Sequence, residues 1–218
     1  MLSLLINRPA LAANIVIDGQ FGDWAGQPFI TDPPGDASPP RTDLFSVYWA
    51  TNPGNPTAYF MIQRDFPGGQ GGQSVFYRVF IDTACNGSYN EASDRVIFAA
   101  YNPTNFAGTT TIVVSSGTGA SISANGGNWG DAAYGPPTGG TRTEFGVSFN
   151  DLGISTNQTI CFYVATYQTA GSTTPSDGSV PVQWAPIPAL GEPLMLVVVI
   201  GVMVYVWWRR PFAGWGRK

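Results

Sequence analysis

The sequence predicts an all-β protein, an antiparallel β-sandwich followed by a single C-terminal transmembrane helix. Three observations carry that expectation. Eight or nine short runs of apolar, β-branched and aromatic residues are separated by clusters of Gly, Pro and Asn. No amphipathic helical pattern of useful length precedes the tail. Residues 194–208 (LMLVVVIGVMVYVWW) carry no charge, and Arg209, Arg210, Arg217 and Lys218 follow them.

Taken in order, residues 1–13 (MLSLLINRPALAA) read as the end of a signal peptide, with Ala10 and Ala12 at the small-residue cleavage positions. The ectodomain spans 14–184. It opens on a short strand, 15–17, turned by Asp18 and Gly19. Residues 31–43 (TDPPGDASPPRTD) hold four prolines and three aspartates, so they form a loop without ladder bonding. Strands follow at 44–50 and 57–63, with a turn between them. The run 67–73 (PGGQGGQ) is a loop. Residues 74–82 (SVFYRVFID) form the clearest strand: Val75, Tyr77, Val79 and Ile81 share one face, and Phe76, Arg78 and Phe80 the other. Both faces are largely apolar, which predicts a central strand in a two-layer structure.

Strand 94–101 comes next, then a hairpin of 109–116 with 120–124. A Gly-rich connection, 125–140, carries Trp129 and Tyr134. Strands 141–149 and 159–168 follow, and 180–184 adds an edge strand. A Pro-rich stalk, 185–193, leads to the transmembrane segment 194–208 and a basic cytoplasmic tail, 209–218. Counting back to Leu190 gives nineteen residues, close to the roughly 20 that a span needs. Trp207 and Trp208 suit the headgroup level, and the cations beyond them suit the cytoplasmic side.

Composition agrees with an exported domain. Charged residues make up 11% of the chain, against roughly 25% in an average globular protein. Residues 14–188 carry a net charge of −8 and no lysine, which argues against nucleic acid as a partner. The two cysteines, Cys85 and Cys161, are an even count in an exported chain. They read either as a disulfide or as two separate buried thiols.

The chain has no histidine, which excludes Ser-His-Asp and Cys-His catalysis and histidine metal sites. It has no Walker or dinucleotide-binding loop. Asp32, Asp36 and Asp43 have the residue type for a glycosidase carboxylate pair. Acids in Pro/Gly turns are more often turn formers, so no enzymatic activity is expected.

Two candidate sites remain. The loop 82–94 (DTACNGSYNEASD) presents Asp82, Asn86 and Asp94 as ligands for a structural Ca²⁺. Ala84 and Ser93 depart from the EF-hand pattern. The same loop also reads as a plain hairpin with Asn86-Gly87 at its turn and aspartates capping the strand ends. Trp129 and Tyr134 read as a stacking platform for sugar rings or as rings covering the sandwich edge.

A family resemblance accompanies these readings. Residues 17–24 (IDGQFGDW) resemble the IDG-x-x-x-DW opening of extracellular sandwiches related to family 9 carbohydrate-binding modules, a DOMON-like, jelly-roll fold. Gly35-Asp36 followed by Asp43-Leu44, residues 77–82 (YRVFID) and residues 144–152 (EFGVSFNDL) agree with that family in order. The resemblance implies a sandwich that often binds sugars and often holds structural calcium. Residues 188–193 (PALGEP), the apolar span and Arg209-Arg210 together resemble PEP-CTERM and IPTL-CTERM sorting signals, which implies a sorting protease as a partner. The function expected is thus a membrane-anchored cell-surface binding or adhesion module, with a glycan as its ligand. The alternative is a structural envelope or matrix protein without a small ligand.

Overall fold

The computed structural model describes residues 14–65, 74–101, 107–130 and 141–186. The expected signal-peptide end, Tyr134, the stalk beyond 186, the transmembrane segment and the basic tail lie outside the described residues. Among the described residues, no helix is long and apolar enough to cross a membrane.

The strands are β1 (Phe29–Thr31), β2 (Leu44–Ala50), β3 (Thr57–Arg64), β4 (Val75–Asp82), β5 (Arg95–Tyr101), β6 (Ala107–Ser116), β7 (Ser121–Gly130), β8 (Arg142–Ser148), β9 (Ile160–Tyr167), β10 (Asp177–Gly178) and β11 (Val182–Trp184). One four-residue helix, α1 (Phe149–Leu152), follows β8. Its first turn is capped by Ser148, whose side chain accepts the Asp151 N–H, and Gly153 ends it in the left-handed region. Short 3₁₀ turns occupy Phe21–Trp24 and Pro40–Thr42.

Every pairing among these strands is antiparallel. The hydrogen-bonded path runs β1-β2-β3-β8-β7-β6-β5-β4-β9-β10, with β11 also on β9. The path folds over into a β-sandwich. One layer is β1-β2-β3-β8, the other is β5-β4-β9 with its edge strands, and the β6–β7 hairpin joins them.

The inner faces share one core. Val47, Phe60 and Phe145 from the first layer meet Val79, Ile97 and Phe162 from the second. Rings cross the interface edge to face: Trp49 on Phe162 at 5.4 Å and Phe60 on Phe162 at 5.5 Å. Period-2 alternation explains which side chains take part. Along β4, Val75, Tyr77, Val79 and Ile81 are buried, while Phe76, Arg78 and Phe80 are half-buried on the outer face. As expected, β4 is central, between β5 and β9.

The outer face of the first layer is covered by the chain's own start. Ile15, Phe21 and Trp24 pack over Ala50, Tyr59 and Met61 in a second apolar cluster. The strand expected at 15–17 does not form. The Asn52 side chain takes the place of a neighbouring strand: Ile15 N–H donates to Asn52 Oδ1 at 2.7 Å, and Asn52 Nδ2 donates to the Ile15 carbonyl at 2.8 Å. A side-chain amide thus satisfies the backbone groups that a ladder would have bonded.

Glu144 fixes this cover in place. It is fully buried in β8. Its Oε1 accepts the Asp18 N–H at 2.9 Å and the Gly19 N–H at 2.7 Å, and its Oε2 accepts Trp24 Nε1–H at 2.7 Å. The 17–24 motif and the 144–152 motif are therefore one hydrogen-bonded unit, far apart in sequence.

Cys85 and Cys161 form a disulfide, with Cα atoms 5.0 Å apart. It joins the 82–94 loop to the start of β9, opposite Asp82 in the β4–β9 register. Strand β7 runs on through Gly130, so Trp129 belongs to a strand opposite Glu144 and not to the connection expected at 125–140. The β6–β7 hairpin is longer than the sequence reading: Ala107 pairs with Trp129 and Thr110 with Asn128, across register shifts, although asparagine disfavours strands.

Candidate functional site

The loop 82–94 is wired by its own backbone. Asp82 accepts the Ala84 N–H at 3.0 Å and the Gly87 N–H at 2.7 Å. Asp94 accepts the Thr83 N–H at 3.2 Å and the Glu91 N–H at 2.8 Å. Asn86 donates to Glu91 and accepts from the Ser88 N–H. These bonds give all three expected calcium ligands a structural part without an ion. Asp82 and Asp94 are fully buried, as carboxylates are when backbone donors replace water.

The loop holds Tyr89 over the outer face of the second layer. Gly117, at the β6–β7 turn, lies against it. A Cβ at Gly117 would come within 2.5 Å of the Glu91 carbonyl and 2.9 Å of the Tyr89 carbonyl, so only glycine lets the turn approach. Beneath Tyr89, Phe80 of β4 and Tyr163 of β9 are register partners. Their rings stack at 4.7 Å with planes 9° apart, and Tyr89 meets Tyr163 edge to face at 4.8 Å.

These three rings, with Ser88, Asn90 and Gly117, line an open cavity of about 530 Å³. Ser88 Oγ and Asn90 Oδ1 bond each other at 2.8 Å on its rim. Burial raises the pKa of the Tyr89 phenol, with Asp82 and Asp94 adding to the effect. Burial also raises that of Tyr163, with Tyr167 and Tyr89 adding to it. Both phenols therefore keep their protons at neutral pH and can donate.

The same outer face carries a second aromatic group. The Arg78 guanidinium lies 4.0 Å from the Tyr167 ring centre and 5.0 Å from that of Phe98. It donates to the carbonyls of Ala170 and Ser172, so it ties down the loop after β9.

A separate acidic corner forms where the two ends of the strand path meet. Asp32 follows β1, and Asp177 lies in β10. Carboxylate oxygens of Asp32, Asp36 and Asp177 lie within 4.8 Å of one another. Asp43 stands beside them, its Oδ2 accepting the Gly35 N–H at 2.6 Å. Asp177 accepts the N–H of Leu44 at 2.6 Å and of Gly178 at 2.7 Å. Burial pushes the Asp32 carboxyl up to about 6, and Asp177, Asp36 and Asp43 push in the same direction. The structure thus brings together the three acids of the Pro-rich loop and adds Asp177, which the sequence did not single out.

Of the expected sugar platform, Trp129 is a β7 residue and Tyr134 lies outside the described residues. The Phe80–Tyr163 pair was missed. Its one signal in the sequence is the second apolar face of β4, which a solvent-facing sheet surface would not need. No known protein family, curated protein or solved structure matches the chain.

Proposed function

We propose that this chain is an exported cell-surface β-sandwich, anchored by residues 194–208, that binds a glycan in the Phe80–Tyr89–Tyr163 cavity. The cavity is the observation that carries the reading. A pyranose has an apolar C–H face and a polar hydroxyl rim. Aromatic rings suit the first, and the phenols, Ser88 and Asn90 suit the second. A volume of about 530 Å³ falls in the range of small-molecule sites. The resemblance to carbohydrate-binding modules, the lysine-free acidic domain and the disulfide all agree with an exported binding module. The resemblance of residues 188–210 to sorting signals makes a sorting protease a second partner.

Affinity electrophoresis of the full chain on a panel of polysaccharides tests the glycan reading. Retardation by at least one polysaccharide is expected. Phe80→Ala and Tyr163→Ala should each weaken it about tenfold, since losing one stacking contact costs about 1–1.5 kcal/mol. Retardation that survives both changes contradicts the site, and no retardation on any polysaccharide favours a purely structural envelope protein.

Topology is tested separately. A C-terminal reporter should lie in the cytoplasm while residues 14–184 are protease-accessible from outside. A full-length chain that folds and stays soluble without detergent contradicts the anchor.

A further inference from the structure

We propose that Asp32, Asp36 and Asp177, backed by Asp43, bind one divalent cation of the calcium class that joins the two ends of the strand path. Two observations carry this. The first is convergence, with three carboxylates presenting oxygens within 4.8 Å of one another. The second is that two buried oxygens in this corner have no hydrogen-bond partner. Asp32 is 9% exposed, and its Oδ2 is unpartnered. Asp43 is 2% exposed, and its Oδ1 is unpartnered. A buried carboxylate oxygen without a donor is costly, and a cation is what such an oxygen accepts in place of water.

The chemistry selects the ion. All donors are carboxylate oxygens, which suit hard cations and not zinc or copper. Ligands on opposite sides of one Ca²⁺ stand about 4.8 Å apart, twice its usual ligand distance of about 2.4 Å. Oxygens within 4.8 Å of one another are near enough to share one such ion. Mg²⁺ demands a near-ideal octahedron and gives up its waters reluctantly, so an all-carboxylate corner built from three separate segments suits the larger, more adaptable ion. The N–H bonds to Asp177 and Asp43 are the outer support that ligating carboxylates usually have.

The location gives the ion a purpose. β1 and β10 are the two ends of the path, and neither pairs with the other. Side chains already bridge the seam: Thr166 Oγ1 donates to the Thr42 carbonyl at 2.6 Å, and Asp177 accepts the Leu44 N–H. A cation held by Asp32 and Asp36 on one side and Asp177 on the other completes that bridge. This site is distinct from the 82–94 loop, whose carboxylates are held by backbone donors. It does not depend on the glycan reading.

The competing solution is a proton, because Asp32 and Asp177 are near enough to share one. Calcium titration calorimetry and thermal melts of the full chain in mild detergent at neutral pH separate the two. One calcium per chain is expected, with melting several degrees higher in millimolar calcium than in EDTA. Asp36→Ala is the decisive variant, since Asp36 is exposed. It should melt like the wild type in EDTA and bind calcium about tenfold more weakly or worse. Asp32→Asn should lose the calcium response as well, and Asp82→Asn should keep it. No heat and no melting shift in the wild type means that a proton holds the corner, and this overturns the proposal. Calcium binding unchanged in Asp36→Ala or Asp32→Asn overturns it too.

Discussion

Glu144→Ala is expected to destabilise the domain by about 3 kcal/mol or more, a large share of the roughly 5–15 kcal/mol that holds a domain folded. The change leaves three donors without an acceptor: the buried Gly19 N–H and Trp24 indole and the part-buried Asp18 N–H. It also frees the segment that covers Tyr59 and Met61. A urea titration followed by Trp fluorescence measures the loss. A midpoint within error of the wild type would mean that the cover is held by apolar packing alone.

Glu144→Gln separates charge from shape. Burial pushes the Glu144 carboxyl up from 4.5 to about 6, and Asp23 adds to the rise, against the lowering pull of the Trp24, Gly19 and Asp18 donors. A carboxyl whose pKa is higher folded than unfolded binds its proton more tightly in the folded state. Its contribution is fully present below pH 4.5 and is lost as pH rises through about 6. The loss is on the order of 2 kcal/mol. Asp32 shifts in the same direction when no cation is bound, so the wild-type slope alone does not isolate Glu144. The difference between wild type and Glu144→Gln does. The variant should show a shallower fall in stability across that window, and parallel profiles would contradict the assignment.

The second large effect is the disulfide. Replacing both cysteines by serine should cost about 4 kcal/mol, because the bridge closes a 76-residue separation in the unfolded chain. The double variant should unfold at a clearly lower urea concentration, and reductant should shift the wild type to match it. The change should also loosen the loop that places Tyr89, so glycan affinity should fall with stability. Equal midpoints with and without reductant would contradict the expected contribution.

Much of the fold was legible because apolar alternation is strong where strands bury one face. Residues 44–50 form β2 as read, and β3, β4, β5, β8 and β9 differ from the reading by a residue or two at their ends. The edge strand expected at 180–184 forms as β11 (Val182–Trp184), but two other short edge strands were not legible. Phe29–Thr31 and Asp177–Gly178 are too brief to show a period, and they exist because β2 and β9 offer them partners. Residues 15–17 have strand composition, yet an asparagine side chain supplies their bonds.

The candidate sites were harder to read, because both depend on register and on chain closure. Phe80 and Tyr163 meet only once β4 and β9 are aligned. Asp177 joins Asp32 and Asp36 only once the two ends of the path come together. Asp82 and Asp94 have the side chains of a metal loop, and the backbone N–H groups that bond them could not be read from the sequence.

The proposed sugar site is the aromatic cavity on the outer face of β4 and β9. Saturation-transfer difference NMR on the full chain, with a fragment of the polysaccharide that retards it most, tests this most directly. Irradiating the protein's aromatic protons should transfer saturation chiefly to the ring C–H protons of one sugar face, and Tyr163→Ala should remove the effect. Transfer that is absent, or that is unchanged in Tyr163→Ala, would contradict it.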